Sequence, residues 1–268
     1  MRKITLLYLS TKYTKTIKLK NFISNYKKFK SGIKHQLVIC FKNLDSKEYK
    51  KRKNLLKKTK YNEYKDPEEK NDHEWGSIKR VSQKLNPTLI FYMNDHSYPI
   101  KNNWLKIIVS KYQKKRIIGC SGSMSSWATN SNVRHYKDSY FMYFLKFIYF
   151  KLFFPKFPNP HLRSNSILFH SKDYLNFISS KVVKSRIQSY TLESGRKGFT
   201  NFFKSKNYTL LVVNSENKTF KEKEWKNSNT YAYKKQEKLL ISDQTTRDYQ
   251  KLNNQQKLKK QKSVWSVY

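Results

Sequence analysis

The 268 residues carry a formal net charge of +39, a pI near 10.1 and 16% aromatic residues. A chain of this length can bury a substantial core as one domain, alone or with a small appendage. Two cysteines, Cys40 and Cys120, lie far apart in apolar, strand-like runs; this excludes a disulfide framework or a cysteine metal motif and reads as two buried thiols in a reducing compartment.

The charge admits two explanations. An anionic partner is one: nucleic acid, an anionic membrane surface or a nucleotide diphosphate. A compositional bias is the other, because 48 of the 57 basic residues are lysine, spread from end to end among Asn, Ile, Tyr and Phe. Nucleic-acid readers lean on arginine for bidentate contacts.

In chain order, Ile4 to Leu9 is β-branched and apolar and predicts a first buried strand. The apolar run there is too short for a secretion signal and lacks a small-residue cleavage site. Thr16 to Lys30 has helical apolar spacing and stops at Gly32. His35 to Phe41 is a second strand, so the chain opens β-α-β, which favours a parallel pair and an α/β class. Ser46 to Thr59 is a basic helix, Tyr61 to Glu74 an acid-rich strand and loop, and Trp75 to Leu85 a helix. Leu89 to Met93 is a strand, and a helix follows from about Ile100 to Val109.

Arg116 to Met124 is a short strand that breaks into the loop Gly119-Cys-Ser-Gly-Ser123. Tyr140 to Phe154 is intensely aromatic, too short to span a bilayer, and carries Lys146 and Lys151. An ordinary buried helix and a helix touching a membrane interface are both open there. Pro155 to Arg163 is a proline-punctuated loop. A strand (Ser164–His170), a short helix (Lys172–Ile178), a turn (Glu193–Gly198), a helix (Phe199–Lys206) and a last strand (Tyr208–Val213) complete the periodic part. Beyond it the chain is charged and amide-rich, with Leu239-Leu-Ile241 as an apolar knot and fraying expected from Asn253 to Lys262.

The chemistry concentrates at Asn94-Asp95-His96. These side chains stand where a buried strand meets a loop, the edge at which open α/β sheets bind ligands. A carboxylate beside an imidazole can hold a divalent cation, which in turn can hold a diphosphate. The run Pro87-Thr-Leu-Ile-Phe-Tyr-Met-Asn-Asp-His-Ser-Tyr-Pro99, followed by Trp104 and Leu105, resembles the Asp-X-Asp region of family-2-like glycosyltransferases with the GT-A fold. The resemblance runs from about Ile4 to Val213.

That resemblance implies an α/β fold of GT-A type: a mixed, mostly parallel sheet flanked by helices, with a short C-terminal extension. It implies a catalytic domain over 1–213 and an extension over 214–268 that packs on it, its end frayed. The expected activity is inverting transfer of a sugar from a nucleoside-diphosphate sugar to a glycan or lipid-linked acceptor, such as a growing surface polysaccharide. Asn94, Asp95, His96, Asp72 and Arg163 would bind the nucleotide-sugar and its diphosphate, with Asp95 and His96 holding Mn²⁺ or Mg²⁺. Glu193, in Tyr190-Thr-Leu-Glu193-Ser-Gly, would be the general base. His161 and Trp104 would lie on the acceptor side.

The sequence departs from that pattern in two places. Phe41-Lys42-Asn43-Leu44-Asp45 replaces the acidic run that usually reads the base, with Asp72 as the substitute, and Asn94 stands where an Asp is usual. The Gln-X-X-Arg-Trp motif of processive synthases is absent. The place expected for such a protein is the cytoplasm, peripheral at the inner membrane face, with anionic lipid as a further partner and no specific nucleic acid. Two other functions stay open: a basic nucleic-acid- or polyanion-binding protein, and a degenerate homologue without turnover.

Overall fold

A computed structural model describes residues 3–68, 72–129 and 139–265. The first half runs β1 (Ile4–Thr11), α1 (Thr16–Lys28), β2 (Gln36–Lys42), α2 (Ser46–Leu56), β3 (Asn62–Asp66), α3 (His73–Leu85), β4 (Leu89–Met93), β5 (Tyr98–Pro99), α4 (Trp104–Ser110), β6 (Arg116–Gly119) and β7 (Gly122–Ser123). The second half runs α5 (Tyr140–Phe153), β8 (His161–Leu162), β9 (Ser166–His170), α6 (Ser171–Ile178), α7 (Arg186–Ser194), α8 (Phe199–Ser205), β10 (Thr209–Val213) and β11 (Thr219–Phe220). A 3-10 turn (Glu222–Ser228), β12 (Ile241–Ser242), α9 (Gln244–Lys251) and α10 (Asn254–Trp265) close the chain.

The main sheet has the order β11-β10-β6-β9-β4-β1-β2-β3. It is mixed and mostly parallel, as expected: β9 runs antiparallel to β4 and β6, β11 antiparallel to β10, and the other neighbours are parallel. β1 is buried at every position, the mark of a central strand covered on both faces. Its side chains alternate between two cores. Leu7 and Leu9 join Trp75, Phe177 and Phe199 beneath α3, α6 and α8, whereas Leu6 and Tyr8 join Phe22, Trp104 and Ile108 beneath α1 and α4.

Antiparallel β9 brings two distant loops together. Parallel strands β1, β2 and β4 all end at one sheet edge, and because β9 runs the other way, it begins there, with Met93 paired to Ser166. The loop ahead of β9 thereby lies beside the loop after β4, and the Asn94 amide donates to Asn165 O.

The segment after Val213 feeds both cores. Leu240 and Ile241 enter one, and Trp225, Tyr231 and Tyr249 the other. A Cβ at Gly122 would stand 2.5 Å from the Trp225 ring, so the indole needs glycine there. The fraying expected over 253–262 is corrected to a helix, α10. Its end is pinned because Val264 and Trp265 are buried, the Trp265 indole donates to Tyr231 O, and Val264 O accepts from the Met124 amide. Both cysteines are buried and free; burial pushes the Cys120 thiol up to about 12 and Cys40 higher, which makes them unreactive.

Among the described residues no helix is long and apolar enough to cross a membrane. The aromatic segment forms a helix, but not the ordinary buried one. Phe150 is buried, whereas Phe141, Phe144 and Leu152 are 68%, 57% and 63% exposed.

Candidate functional site

The strand ends gather most of the side chains singled out from the sequence. β4 stops at Met93 because Asn94 turns the chain. Its side-chain oxygen accepts from the His96 amide (3.1 Å) and the Ser97 hydroxyl (2.7 Å), and its carbonyl accepts from the Ser97 amide. This is the ordinary turn chemistry of asparagine. Asn94 therefore shapes the loop, and its side-chain oxygen is engaged by these two donors.

Asp95 is fixed from β1. The Thr11 hydroxyl donates to Asp95 Oδ2 (3.1 Å), and the Tyr8 hydroxyl donates to Asp95 O (3.0 Å). His96 lies beside it, with Nε2 3.5 Å from Asp95 Oδ1. The two side chains are 14% and 39% exposed, so they stand at the mouth of the site. Arg247 on α9 donates to His96 O and lies over the Tyr98 ring, which ties the C-terminal segment to this loop.

Among the described residues no three His, Cys, Asp or Glu side chains cluster as a metal cage. A hard divalent cation bound with a diphosphate needs only one or two protein groups, since phosphate and water oxygens complete its shell. Asp95 and His96 fit that minimal set. His96 Nδ1 is also buried without a hydrogen-bond partner, as suits an imidazole whose partner is a ligand.

On the Thr11 side a cleft of about 680 Å³ opens from Lys12, bounded by the start of α1 and by α2. Lys12, Lys15, Lys20 and Lys51 line it together with Tyr13 and Asp45. Its floor is set by buried Arg52, which donates to Ser10 Oγ, Thr11 O and Thr14 O.

The opposite side is acidic. Glu193, expected in a turn, lies in the last turn of α7, and Ser164 N donates to its Oε1 at 2.7 Å. Sequence periodicity missed this helix because it is short; its start is signalled by Ser185, whose hydroxyl caps the Gln188 amide. His161 is buried, with Nδ1 2.8 Å from Asn159 O. Burial holds its imidazole below the usual range, and the negative charge of Glu193 works against that shift.

Glu74 is the acid that sequence pattern did not single out. It stands in the first turn of α3, half-buried, and accepts from the Ser189 hydroxyl at 3.5 Å. Burial pushes its carboxyl up to about 7, and the charges of Glu193 and Asp95 add to the rise. A carboxylate that titrates near neutrality among other acids is characteristic of proton-transfer sites. The available signal was an acid just ahead of Trp75, a core residue that fixes its position.

Stability should respond to pH through this group. The raised value means the folded state holds the Glu74 proton more tightly than the unfolded chain does. Its contribution is therefore fully present below about 4.5 and declines as pH rises through about 7. Glu74→Gln is expected to raise the midpoint of urea unfolding at pH 8 and to leave it nearly unchanged at pH 4.

Three expected site residues lie elsewhere or are otherwise engaged. Trp104 is corrected from an acceptor contact to a core residue. It is fully buried against Phe91, its indole donating to Phe29 O, because α4 turns this large apolar side chain onto the sheet. Asp72 is held by Lys42 and Arg80 in a network that includes Asp66. Gly76 leaves room for the Asp72 carboxylate, since a Cβ there would overlap it. Arg163 pairs with Asp243 (2.8 Å), and its guanidinium lies 3.8 Å from the Tyr231 ring centre. It links the β9 entry loop to the C-terminal segment.

No family model matches the sequence, and no curated protein is detectably similar to it. Solved structures with a similar trace include a cytidylyltransferase from Leptospira borgpetersenii, at 11% identity and TM-score 0.42, with 71% of each chain covered. A 4-diphosphocytidyl-2C-methyl-D-erythritol synthase from Anaerococcus prevotii gives 12% and 0.42, covering 79% of this chain and 88% of that one. A putative nucleotide-diphospho-sugar transferase from Desulfovibrio desulfuricans G20 gives 12% and 0.35, covering 44% and 58%.

Proposed function

We propose that the chain is an inverting glycosyltransferase that takes a sugar from a nucleoside-diphosphate donor to a glycan or lipid-linked hydroxyl. The observation that carries this reading is the arrangement along the sheet edge. A lysine-lined cleft lies on one side of the Asp95–His96 pair, and Glu193 and Glu74 lie on the other. Cationic side chains suit a nucleotide diphosphate, and carboxylates suit a neutral acceptor whose proton must be removed.

In this reading Lys12, Lys15 and Lys51 receive the nucleotide diphosphate, and Tyr13, 59% exposed at the rim, offers a face for the base. Asp95 and His96 would hold a divalent cation. When bound, such an ion offsets the charge that builds on the leaving diphosphate. Glu193 takes the acceptor proton as the hydroxyl oxygen forms its bond to the anomeric carbon, and the bond to the diphosphate oxygen breaks with its electron pair leaving on that oxygen. The Ser164 amide keeps the Glu193 carboxylate oriented. Buried His161 stays neutral beside it, and Glu74 shares the negative field that keeps a proton available for exchange.

The two departures from the family pattern have structural explanations that leave catalysis open. Asn94 is committed to its turn, and Lys42 points into a buried ion network.

The test is thermal stability across a panel of nucleoside-diphosphate sugars, with and without Mn²⁺. One donor should raise the midpoint in a metal-dependent way, and the rise should vanish in Asp95→Ala, because a ligand selective for the folded state stabilises it by mass action. Stabilisation by RNA or heparin with no response to any donor would favour the polyanion-binding reading instead.

A further inference from the structure

We propose that α5 is a docking helix for an anionic phospholipid surface. A helix that is apolar all round belongs in a core or in lipid, yet nine of the fourteen side chains of α5 are large, apolar and exposed. At about 1.5 Å per residue it is roughly 21 Å long, too short to span a hydrocarbon layer of about 30 Å. It is long enough to lie in the interface with its aromatic side chains at headgroup level.

Its underside is anchored to the protein. Phe150 stacks on Trp127, whose ring also stacks on Tyr190 of α7. The Tyr149 hydroxyl meets Thr191 Oγ1 at 3.0 Å, and the Arg196 amide and Nε donate to Phe153 O and Leu152 O. The outer surface carries Phe141, Phe144 and Leu152, and these have no covering element among the described residues.

The charge around the patch selects the occupant. Lys151, Lys156, Arg196 and Lys197 are exposed at its C-terminal end, and the described residues from Ser139 to Gly198 contain only two acids, Asp173 and Glu193. An apolar centre with a cationic border complements a bilayer bearing anionic headgroups, to which each basic residue near the surface adds attraction. A second copy of this chain would bring a like-charged border against it.

The docking stands on this surface alone. Its consequence rests on the transferase reading: α5 sits on α7, the helix that carries Glu193, so docking would hold that helix close to the bilayer. That geometry favours a lipid-linked acceptor over a soluble glycan.

The test is sedimentation of the full chain with vesicles of phosphatidylcholine alone and of phosphatidylcholine mixed with phosphatidylglycerol, at low and high salt. The parent should bind the mixed vesicles and retain binding at high salt. Phe141→Ser/Phe144→Ser/Leu152→Ser keeps the charge and should lower partitioning at least tenfold, with its melting midpoint unchanged because all three side chains are exposed. Lys151→Ser/Lys156→Ser/Lys197→Ser should reduce the preference for phosphatidylglycerol. Equal binding by the apolar triple variant and the parent would reduce the effect to surface charge and overturn the proposal. So would a parent that ignores vesicles and runs as a dimer which that variant dissociates. A failed donor panel with intact vesicle binding would remove the transferase reading and leave the docking helix standing.

Discussion

Glu193→Gln is expected to lower sugar transfer by about 10²- to 10⁴-fold, the usual contribution of a general base, while donor affinity stays that of the parent. Glutamine retains the oxygen that accepts from the Ser164 amide, so the β9 entry loop keeps its position. It cannot take a proton, so only the deprotonation of the acceptor is lost. Single-turnover transfer and donor binding, measured on the same variant, separate the two effects. Full transfer in Glu193→Gln would remove Glu193 from the chemistry and shift attention to Glu74.

The pH profile distinguishes the two carboxylates further. Glu74 changes protonation near 7, so a rate limb near neutrality that disappears in Glu74→Gln would identify it as the group whose ionisation is rate-controlling. A limb that survives that change belongs to another group.

Lys42→Met is expected to destabilise the fold by about 3 kcal/mol or more, the range for removing one member of a buried ion pair. The Lys42 and Asp66 side chains are 2% and 0% exposed, and Lys42 also donates to His73 O and Ser77 Oγ. Methionine fills the volume of the lysine stem but leaves Arg80 as the one cation paired with Asp66 and Asp72 among the described residues. Burial works to raise the Asp66 carboxyl, but hydrogen bonds from Arg80 and Ser77 outweigh it and hold the group below its ordinary value. For a lowered carboxylate the stabilisation is present above the unfolded value, near 3.8, and is lost as pH falls through the folded one.

Urea unfolding of Lys42→Met should therefore show its largest deficit at neutral pH and a smaller one at strongly acidic pH. Donor affinity in the variant, measured below its melting range, should match the parent. A specific loss of donor binding with unchanged stability would instead make Lys42 a substrate contact.

Much of the architecture was legible along the chain because it depends on local pattern. The all-buried run of β1, the helical spacing of α1, the β-α-β opening and the stop at Asn94 come from hydrophobic period and turn chemistry, and these act over a few residues. The pairing of Asp95 with His96 was legible for the same reason, since adjacent residues at a strand end share an edge whatever the rest of the fold does.

What the tertiary structure decided was each side chain's company. Trp104 and Phe141 are both aromatic residues in helices, yet one is sealed under the sheet and the other faces outwards, because burial depends on which element lies across from it. Asp72 and Glu74 are two residues apart. One is neutralised by Lys42 and Arg80, and the other is left among like charges, because α3 starts between them. Arg163 has the chemistry of a phosphate ligand, but Asp243, 80 positions later, claims it. The direction of β9 was equally hidden: strand propensity carries no sign, and only pairing with β4 and β6 brings Ser164 to the edge where Glu193 meets it. Sequence sets local conformation and the supply of charge, whereas long-range packing sets the electrostatic environment, and it is that environment which distinguishes a structural carboxylate from one poised to move a proton.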